Sequence, residues 1–377
     1  MSKTLQDYAT LINDTIQSNE INHYITTDNM CQNLGGIDTF KNINIPQGKV
    51  RSFQKDDVLL SNIRLYFRKV YRAKQKGGCS SDVLVFRAKH IDSATLFAIL
   101  SSQIFTDYAC SGSQGSKMPR GNKTHMMDFK IPTINFTIAK IFNSIQNKIE
   151  NNHKINELLH KILELLYEQY FVRFDFLDEN NKPYQTSGGK MKFSKELNRL
   201  IPSGWSVRFL NHKIVSTYQP KTISKTLLND SYSYSVYGGG GIIGRFTEYN
   251  HEQSEFIISC RGQCGISYLT LPKSWITGNA MVIRPTKSYT SKTYLYHTIK
   301  KYKLTNYITG SVQPQITRQN LSTMPILIPK RKTLNKWNNI SSLLWNLIHN
   351  NMQSTQTLTV LRDFLLPLLL KQQVKPK

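Results

Sequence analysis

The amino-acid sequence predicts a mixed α/β (α+β) fold, in which two pseudo-symmetric globular halves are separated by two long antiparallel coiled-coil helices. Two observations predict this class. Short motifs recur about 198 residues apart, and two segments carry apolar residues at alternating steps of three and four. The predicted segments are a first half, a central helix, a connector with the second half, and a C-terminal helix: 1–132, 133–172, 173–329 and 330–377.

The recurring motifs keep their order along the chain. Asp57–Ser61 is similar to Glu255–Ser259, and Val85–Arg87 is similar to Val282–Arg284. Further matching pairs are Thr106–Tyr108 with Thr305–Tyr307, Gly112–Ser113 with Gly310–Ser311, Arg120 with Arg318, Asn122 with Asn320, and Pro132 with Pro329. The apolar runs predict short strands at Val58–Leu60, Val83–Phe86, Phe256–Ile258 and Ala280–Ile283, and residues 93–108 and 289–303 have a helical pattern. The preserved order predicts two related domains.

Each long helix is predicted from one seam of regularly spaced positions. In the central segment these are Ile138, Ile141, Ile145, Ile155, Leu159, Ile162 and Leu166. In the C-terminal segment they are Trp337, Ile340, Leu344, Leu347, Asn351, Ser354, Leu358, Leu361, Leu365 and Leu368. We expect Asn152 and Asn351, near the middle of the two seams, to meet and to set the register of an antiparallel pair. The alternative is two independent amphipathic helices, each docked on its own half.

The charge of the chain indicates the class of its partner. There are 49 Lys and Arg against 24 Asp and Glu, a net charge of +25, which favours a polyanion, with nucleic acid first and an anionic membrane second. The net charge is +6 in residues 1–132, 0 in 133–171, +12 in 172–329 and +7 in 330–377. Two basic halves on a neutral spacer predict a reader of double-stranded DNA with two different half-sites.

Other features count against a membrane partner and against secretion. The N-terminal residues Met1–Asp7 have no apolar signal-peptide core, and the longest strongly apolar run, Phe364–Leu370, is far shorter than the ~20 residues that span a bilayer. We therefore expect a soluble, cytoplasmic protein. The five cysteines include no second Cys pair or close His that would complete a zinc site, so they are predicted to be inert thiols.

A basic stretch in the first half has no acidic residue and carries interleaved aromatic side chains, which suits phosphate contacts along DNA. The residues predicted to contact DNA there are Arg64, Tyr66, Arg68, Lys69, Arg72, Lys74 and Lys76. As a helix or as a strand, Arg64, Arg68 and Arg72 would share one face. A later polar loop adds Gln114, Lys117 and Arg120. The alternative for the basic stretch is a solvated hairpin.

In the second half, a glycine-punctuated loop is predicted to follow a strand, because small residues let the backbone approach a DNA groove. The residues predicted to contact DNA in this half are Tyr237, Gly239, Arg245, Arg261, Gln263, Gln313, Gln315 and Arg318. Gln can pair with adenine, and Arg with guanine, through two hydrogen bonds each.

The catalytic motifs that the sequence suggests are all incomplete. Gly239–Gly244 fits a dinucleotide-binding pattern but leads into Arg245-Phe246-Thr247 rather than a helix. Asn181–Tyr184 lacks one proline of an adenine-methyltransferase motif, and Asp128–Lys130 lacks the upstream Pro-Asp pair of a nuclease site. No Walker A sequence is present, so we expect no enzymatic activity and no metal site in this chain.

The combination of features resembles the specificity subunits of type I restriction-modification systems. The resemblance lies in the duplicated half followed by a long helix, in Asp57–Ser61, and in the segments Gly112–Gln114 and Gly310–Gln313. The connector adds Phe174-Asp175-Phe176, Pro183-Tyr184, Gly188–Met191 and Ile201–Trp205. The resemblance covers nearly the full length of the chain.

This resemblance implies two target-recognition domains, each of which reads one part of a bipartite asymmetric DNA sequence. The helices would act as a ruler and would dock two methyltransferase subunits, and restriction subunits would join the complex. S-adenosylmethionine, Mg and ATP would be used by those partners, with no cofactor bound by this chain. The alternative is a non-catalytic coiled-coil adaptor that joins protein partners, and a stand-alone nuclease ranks third.

Overall fold

A computed structural model describes residues 3–38, 41, 43–131, 134–229, 232–262, 264–310 and 313–369. It confirms the mixed α/β class. The chain forms two compact units, which are described separately: unit 1 comprises Met1–Lys154 and Met352–Lys377, and unit 2 comprises Ile155–Asn351. Each long helix contributes residues to both units, so the units cut across the predicted helical segments.

Unit 1 begins with a short helix and alternates strands with short helices. Its elements are α1 (Leu5–Tyr8), β1 (Ala9–Ile12), β2 (Thr15–Gln17), β3 (Tyr24–Ile25), β4 (Lys49–Phe53), β5 (Val58–Ser61), β6 (Val70–Arg72), β7 (Gly77–Cys79), β8 (Val83–Ala88), α2 (Ser93–Ser101), α3 (Gln103–Ser111) and α4 (Lys123–Met127). The strands form two four-stranded sheets, in the orders β1-β8-β5-β6 and β2-β4-β7-β3. Helix α2 packs its apolar residues on the first sheet, which buries all four residues of β5.

Unit 2 includes the C-terminal part of the long central helix, and its other elements follow that helix along the chain. Its elements are β9 (Met191–Ser194), β10 (Arg199–Pro202), β11 (Ser206–Phe209), β12 (Val215–Tyr218), β13 (Tyr234–Gly238), β14 (Gly241–Phe246), β15 (Phe256–Ser259), β16 (Ser267–Leu269), β17 (Trp275–Ile276), β18 (Ala280–Pro285), α6 (Lys292–Lys300), β19 (Ile308–Thr309), β20 (Gln315–Ile316), α7 (Arg318–Ser322) and β21 (Pro325–Ile328). Its four-stranded sheet has the order β12-β18-β15-β16, and β14-β13-β17 form a second sheet.

The internal repeat is confirmed by the two main sheets, which have equivalent strands in the same order. The matching sequence motifs also form equivalent ion pairs in the two units. Arg87 donates to both carboxylate oxygens of Asp57 at 2.8 Å, and Arg284 donates to Glu255 at 2.7 Å, in each case between the second and third strands of the sheet. Two related domains therefore arise from the two halves of the chain.

The long helices are α5 (Phe136–Tyr167), which continues as a π-helical turn over Glu168–Val172, and α8 (Arg331–Leu369). They are antiparallel within each unit. In unit 1, Gln146 accepts a hydrogen bond from Arg362 and Asn152 donates one to Thr355. In unit 2, the ring of Tyr167 contacts that of Trp337, whereas His160 contacts Trp345 eight residues later. Pro132, Thr133 and residues 370–377 lie outside the described residues.

The predicted seams are right at some positions, such as Ile145 and Trp337, which are buried, and wrong by one residue at others. The predicted positions Ile141, Ile155 and Ile162 are 43%, 43% and 44% exposed, while the buried side chains are those one residue later, such as Phe142 and Leu163. On α8 the same displacement exposes Leu347 and Leu361 and buries Ile348 and Arg362. One residue is a rotation of about 100° around a helix. Each helix carries two adjacent apolar stripes, so the spacing alone could not identify the buried one.

The two register asparagines each have a different partner within their own unit. Asn152 Nδ2 donates to Thr355 Oγ1 at 3.1 Å in unit 1, and Asn351 Nδ2 donates to Asn156 Oδ1 at 2.9 Å in unit 2. Asn156 Nδ2 also donates to the Ile348 carbonyl at 3.3 Å. Buried amides hydrogen-bonded in this way favour one register over its neighbours, because a shift would leave them without partners.

Unit 2 has an aromatic core beneath its helices. Tyr167 and Trp337 pack against His297 of α6, and Phe171 packs against Trp337. The centroid of the His297 ring lies 5.4 Å from that of Trp337. His297 is buried, and its Nε2 has no hydrogen-bond partner among the residues that the structure describes. Burial, together with smaller contributions from Lys300, His160 and Lys301, lowers the pKa of His297 to about 3.

We expect this histidine to make the stability of unit 2 depend on pH. An unfolded histidine titrates near 6.5, whereas the folded one stays neutral to a much lower pH, so the unfolded state binds more protons in between. The free energy of unfolding should therefore fall as pH is lowered from 7 to 5. In His297→Gln the decline should be shallower, as measured by urea unfolding at each pH. The exposed His212→Gln is the control, and an equally shallow decline in that variant would contradict the assignment.

Two negative findings apply to the described ranges. No helix there is both long and apolar enough to cross a membrane. No group of three His, Cys, Asp or Glu side chains among those residues is placed to hold a metal ion.

Candidate nucleic-acid interface

A closed polar loop lies next to the end of β5 in unit 1. The backbone groups of Gln114 and Arg120 exchange two hydrogen bonds, of 2.9 and 2.8 Å, and these close the loop 114–120. Gly115, with φ of +96°, supplies the left-handed conformation that the turn requires. Arg120 also forms a bridge with Ile63, two residues after β5 ends. The loop is thus anchored to the sheet at its base and exposed at its tip.

Arg64 attaches the same loop from its other side. Its backbone N–H donates to the Pro119 carbonyl at 2.9 Å, and its guanidinium donates to the Lys117 carbonyl at 3.3 Å. These bonds hold the loop and leave the Lys117 ammonium in solvent. Arg64 itself has φ of +50°, in the left-handed region, so the chain turns sharply there.

Three side chains of this loop are exposed and able to bind a ligand. Gln114 and Lys117 have no side-chain partner within the described part of the chain. Arg120 pairs with Asp82 at 3.0 Å, but both side chains are partly exposed to water. Exposed pairs contribute little free energy, so Arg120 could exchange Asp82 for a phosphate. The structure therefore brings together Arg64, Lys117, Arg120 and Gln114, which the sequence placed in two separate groups.

The basic stretch is not the single face that was predicted. Arg64 and Arg68 both have left-handed backbones and flank a 3₁₀ turn, Leu65–Phe67, and β6 begins only at Val70. Left-handed backbone conformations are rare for arginine, so the residue types alone did not predict them at these two positions. Tyr66, at the turn, is exposed and lies edge-on to Phe67, and Lys76 is exposed.

Four members of the stretch contact the protein itself. Their partners are the Ser101 carbonyl for Arg68, the Thr27 carbonyl for Lys69, Asp56 for Arg72, and Asn147 and Glu150 of α5 for Lys74. Burial lowers the pKa of Arg68, and burial likewise lowers that of Lys69. These internal contacts hold the sheet edge and α5 together, so these four side chains are less available to DNA than the loop.

Unit 2 repeats the arrangement at the end of β15. Arg261, two residues after that strand, forms a bridge with Gln315, as Ile63 does with Arg120 in unit 1. Strands β19 and β20 are antiparallel, and Ile308 pairs with Ile316 and Thr309 with Gln315. The exposed side chains of Arg261, Gln313 and Gln315 have no partner among the described residues. Arg318 is also exposed, at the start of α7. Gln263 lies outside the described residues.

A glycine-rich hairpin lies against this loop. Gly239 and Gly240 form the two-residue turn between β13 and β14, which is a hairpin and not the strand-to-helix turn of a dinucleotide site. A Cβ on Gly239 would lie 3.0 Å from the Arg261 carbonyl oxygen, which is tighter than most Cβ contacts, so glycine favours this close approach of the two backbones. Next to the turn, Ile242 and Ile243 are exposed, a feature that the sequence reading missed.

Two predicted contacts of the hairpin have internal roles. Tyr237 is buried, its hydroxyl accepts a hydrogen bond from the Leu271 N–H at 3.0 Å, and burial raises its pKa to about 12. Arg245 donates to the Ser233 carbonyl across the hairpin. Side chains along a strand point alternately to its two faces. The Tyr237 side chain points to the face that packs in the core with Ile257 and Val282.

The comparisons with known proteins agree with this geometry. Residues 202–359 match the family model described as "Type I restriction modification DNA specificity domain". The MjaIX specificity subunit of a type I restriction enzyme from Methanocaldococcus jannaschii is 22% identical over 310 residues, which cover 72% of this chain and 67% of the relative. The type I restriction-modification S subunit from M. genitalium has the same fold, with a TM-score of 0.63 at 14% identity over 99% of this chain and 96% of that one.

Two related sheet units with polar loops at equivalent strand ends, together with the specificity-domain match, define a DNA target-specificity protein. Residues 202–359 carry the DNA specificity domain of type I restriction-modification systems, and most of the chain is similar to a specificity subunit of such a system. Members of this family are non-catalytic within the restriction-modification complex.

Proposed function

We propose that this chain reads a bipartite, asymmetric DNA sequence, one part with each unit, and thereby directs adenine methylation and ATP-dependent restriction by partner subunits. The observation that carries the proposal is the duplicated loop at the end of β5 and of β15. It supports a pair of related reading surfaces. The side chains differ between the two, so the two half-sites should differ as well.

In unit 1 the proposed reading surface is the loop 114–120 with Arg64, Tyr66 and Lys76 beside it. Gln114 is suited to an adenine edge and Arg120 to a guanine edge or a phosphate. Lys117 is a point charge at the loop tip, suited to phosphate. The internally bonded residues Arg68, Lys69, Arg72 and Lys74 are proposed to add to the positive potential around the loop.

In unit 2 the proposed reading surface consists of Arg261, Gln263, Gln313, Gln315 and Arg318. The glycine turn at Gly239 allows the DNA backbone to come close to it, and Arg245 supplies positive charge from β14. Tyr237 is proposed to act indirectly, since its buried ring supports the hairpin that presents the turn.

The outward stripes of the two helices are proposed to dock two methyltransferase subunits, one on each unit. In unit 1 the exposed apolar side chains are Ile141, Val360, Leu361 and Phe364, and in unit 2 they are Ile155, Leu158, Ile162, Leu165, Ile340, Leu343 and Leu347. Apolar rows of this length are uncommon on free protein surfaces and are typical of sites of association. Restriction subunits would join this complex.

The partners would hold the chemistry of the complex. S-adenosylmethionine would be bound by the methyltransferase subunits, and Mg and ATP would be used with the restriction subunits. We propose that the complex acts in the cytoplasm, and that the helices, whose register asparagines are Asn152 and Asn351, set the distance between the half-sites. The predicted domains 1–132 and 173–329 would be its two target-recognition domains, separated by the spacer helices 133–172 and 330–377.

A domain exchange tests the bipartite reading. Residues 200–329 are replaced with those of another specificity subunit of the same family, and the methylome of a host that carries the chimera is sequenced. One half of the methylated motif should change while the other half stays. An unchanged motif, or a change in both halves, would contradict the assignment of one half-site to each unit.

The loop of unit 1 gives a second test that separates DNA reading from a protein adaptor. Lys117→Ala should weaken binding to different duplexes by similar factors, because phosphate contacts carry no sequence information. The slope of log affinity against log salt should become shallower by about 0.9, the value for one phosphate contact. Lys195→Ala, an exposed lysine of the β9–β10 turn, is the control. Affinity that does not depend on salt in the unmodified chain would favour the adaptor.

A further inference from the structure

Unit 2 contains a cavity of about 370 Å³ away from the proposed reading surface. It lies between the connector that follows α5 and the first turn of α8. Its aromatic side is formed by Phe176, Tyr184 and Trp205, and its polar side by Lys330, Lys332 and Thr333. The volume is within the range of sites that hold small molecules.

The aromatic side is rigid. The rings of Tyr184 and Phe176 stack at 4.9 Å with an angle of 16°, and those of Phe176 and Trp205 stack at 5.1 Å with an angle of 17°. The Tyr184 hydroxyl donates to the Lys190 carbonyl at 2.8 Å, which holds the outer ring in place. Because these rings cannot easily move into the cavity, the space is maintained without a ligand.

The polar side is the N-terminus of a helix of 39 residues. The Leu334 N–H donates to the Lys330 carbonyl at 3.0 Å and begins the helical bonding, so the preceding N–H groups have no acceptor within the helix. The first turn contains no acidic residue, and Lys330 and Lys332 flank it. Free N–H groups, the helix dipole and two ammonium groups together favour an anion.

Thr333 is the independent sign of a ligand. It is 6% exposed, it lines the cavity, and its hydroxyl has no hydrogen-bond partner among the described residues. The side chain is thus held in a nearly buried position, while its hydroxyl stays free to bond a ligand in the cavity. A hydroxyl at the third position of a helix is well placed to donate to an anion held by the N–H groups.

Three further charged residues line the cavity, Asp178, Glu179 and Lys336. Asp178 accepts hydrogen bonds from the backbone N–H groups of Asn180 at 2.8 Å and Lys182 at 2.9 Å. Lys336 donates to the Leu177 carbonyl at 3.3 Å, and Glu179 is exposed. The Asp178 carboxylate is therefore bound within its own turn, and it leaves the helix N-terminus available.

We propose that this cavity binds the phosphate group of a small ligand, either free phosphate or a mononucleotide, through Thr333, Lys332 and the N-terminal N–H groups of α8. In the nucleotide case, the rest of the ligand would lie toward Tyr184 and Trp205. The site shares no residue with the two reading surfaces. The proposal can therefore be wrong while the proposed DNA function is right, and the reverse is also true.

Calorimetric titration of the full-length chain tests the proposal, with inorganic phosphate, adenosine 5′-monophosphate and adenosine as separate ligands. Phosphate and the nucleotide should bind and adenosine should not, and tighter binding of the nucleotide would identify it as the source of the phosphate. Thr333→Val, which keeps the shape of the side chain, should weaken binding by about tenfold, the effect of one hydrogen bond to a charged group. Lys332→Ala should weaken it as well.

The controls are Lys195→Ala, which should bind phosphate as the unmodified chain does, and circular dichroism of each variant to show that it folds. Absence of phosphate and nucleotide binding in the unmodified chain would overturn the proposal. So would unchanged binding in a folded Thr333→Val variant, since the anion would then be held elsewhere. Binding of duplex DNA can be measured in the same samples and should be unaffected by Thr333→Val.

Discussion

Replacing Arg362 with alanine should lower the free energy of unfolding of unit 1 by about 3 kcal/mol. Arg362 is only 2% exposed, although it is charged. Its guanidinium donates to Gln146 Oε1 at 3.3 Å, and Gln146 in turn donates to the Leu34 carbonyl at 2.8 Å. The substitution would leave the buried Gln146 oxygen without a donor and would open a cavity between α5 and α8.

Urea unfolding followed by circular dichroism would measure this loss. The matched control is Asp363→Ala, which removes the other partner of Arg362, at 3.0 Å. Asp363 is partly exposed, and its removal keeps the Arg362 side chain and the contact with Gln146, so we expect the control to lose less stability than Arg362→Ala. If the two variants lost equal stability, the ion pair with Asp363 and not the contact with Gln146 would be the important interaction.

Replacing Trp337 with alanine should lower the free energy of unfolding of unit 2 by about 3–5 kcal/mol. Its ring is buried and contacts those of Tyr167, Phe171 and His297, at distances of 5.8, 5.5 and 5.4 Å between ring centroids. These rings belong to α5, the π-helical turn and α6, so the substitution would open a cavity where three elements meet.

Thermal unfolding with and without a bound duplex would check this result. Trp337→Phe should lose clearly less, because an aromatic ring would still fill most of the space. Leu343→Ala, on the exposed stripe of the same helix, should be near neutral for stability while it weakens assembly with a methyltransferase subunit. A large loss of stability in Leu343→Ala would contradict the assignment of the outer stripe.

The fold was largely predictable because the same sequence motifs occur in both halves of the chain. Two halves with the same motifs in the same order predicted two related sheets, and the Asp57–Arg87 and Glu255–Arg284 pairs show why the motifs recur. The antiparallel helices were also predictable, from the spacing of three and four. Which apolar stripe is buried was not, since both stripes satisfy that spacing.

The candidate site was predictable in composition but not in geometry. Gln114, Lys117 and Arg120 were identified as one polar loop, and they form one. The basic stretch was expected to be a single face, but left-handed turns at Arg64 and Arg68 separate its members. Arg68 then contacts the Ser101 carbonyl, a residue 33 positions away, which no local pattern contains.

The sequence alone determined the class of this protein: its duplicated motifs, its long helices and its charge all predicted a DNA-specificity subunit with two reading domains. These are properties of composition and period, which persist however the side chains pack. Only the tertiary structure decided which stripe of each helix is buried, which arginines remain available to DNA, and that a cavity forms at the start of α8. Those depend on contacts between residues far apart in the chain, because burial and hydrogen bonding are set by neighbours in space.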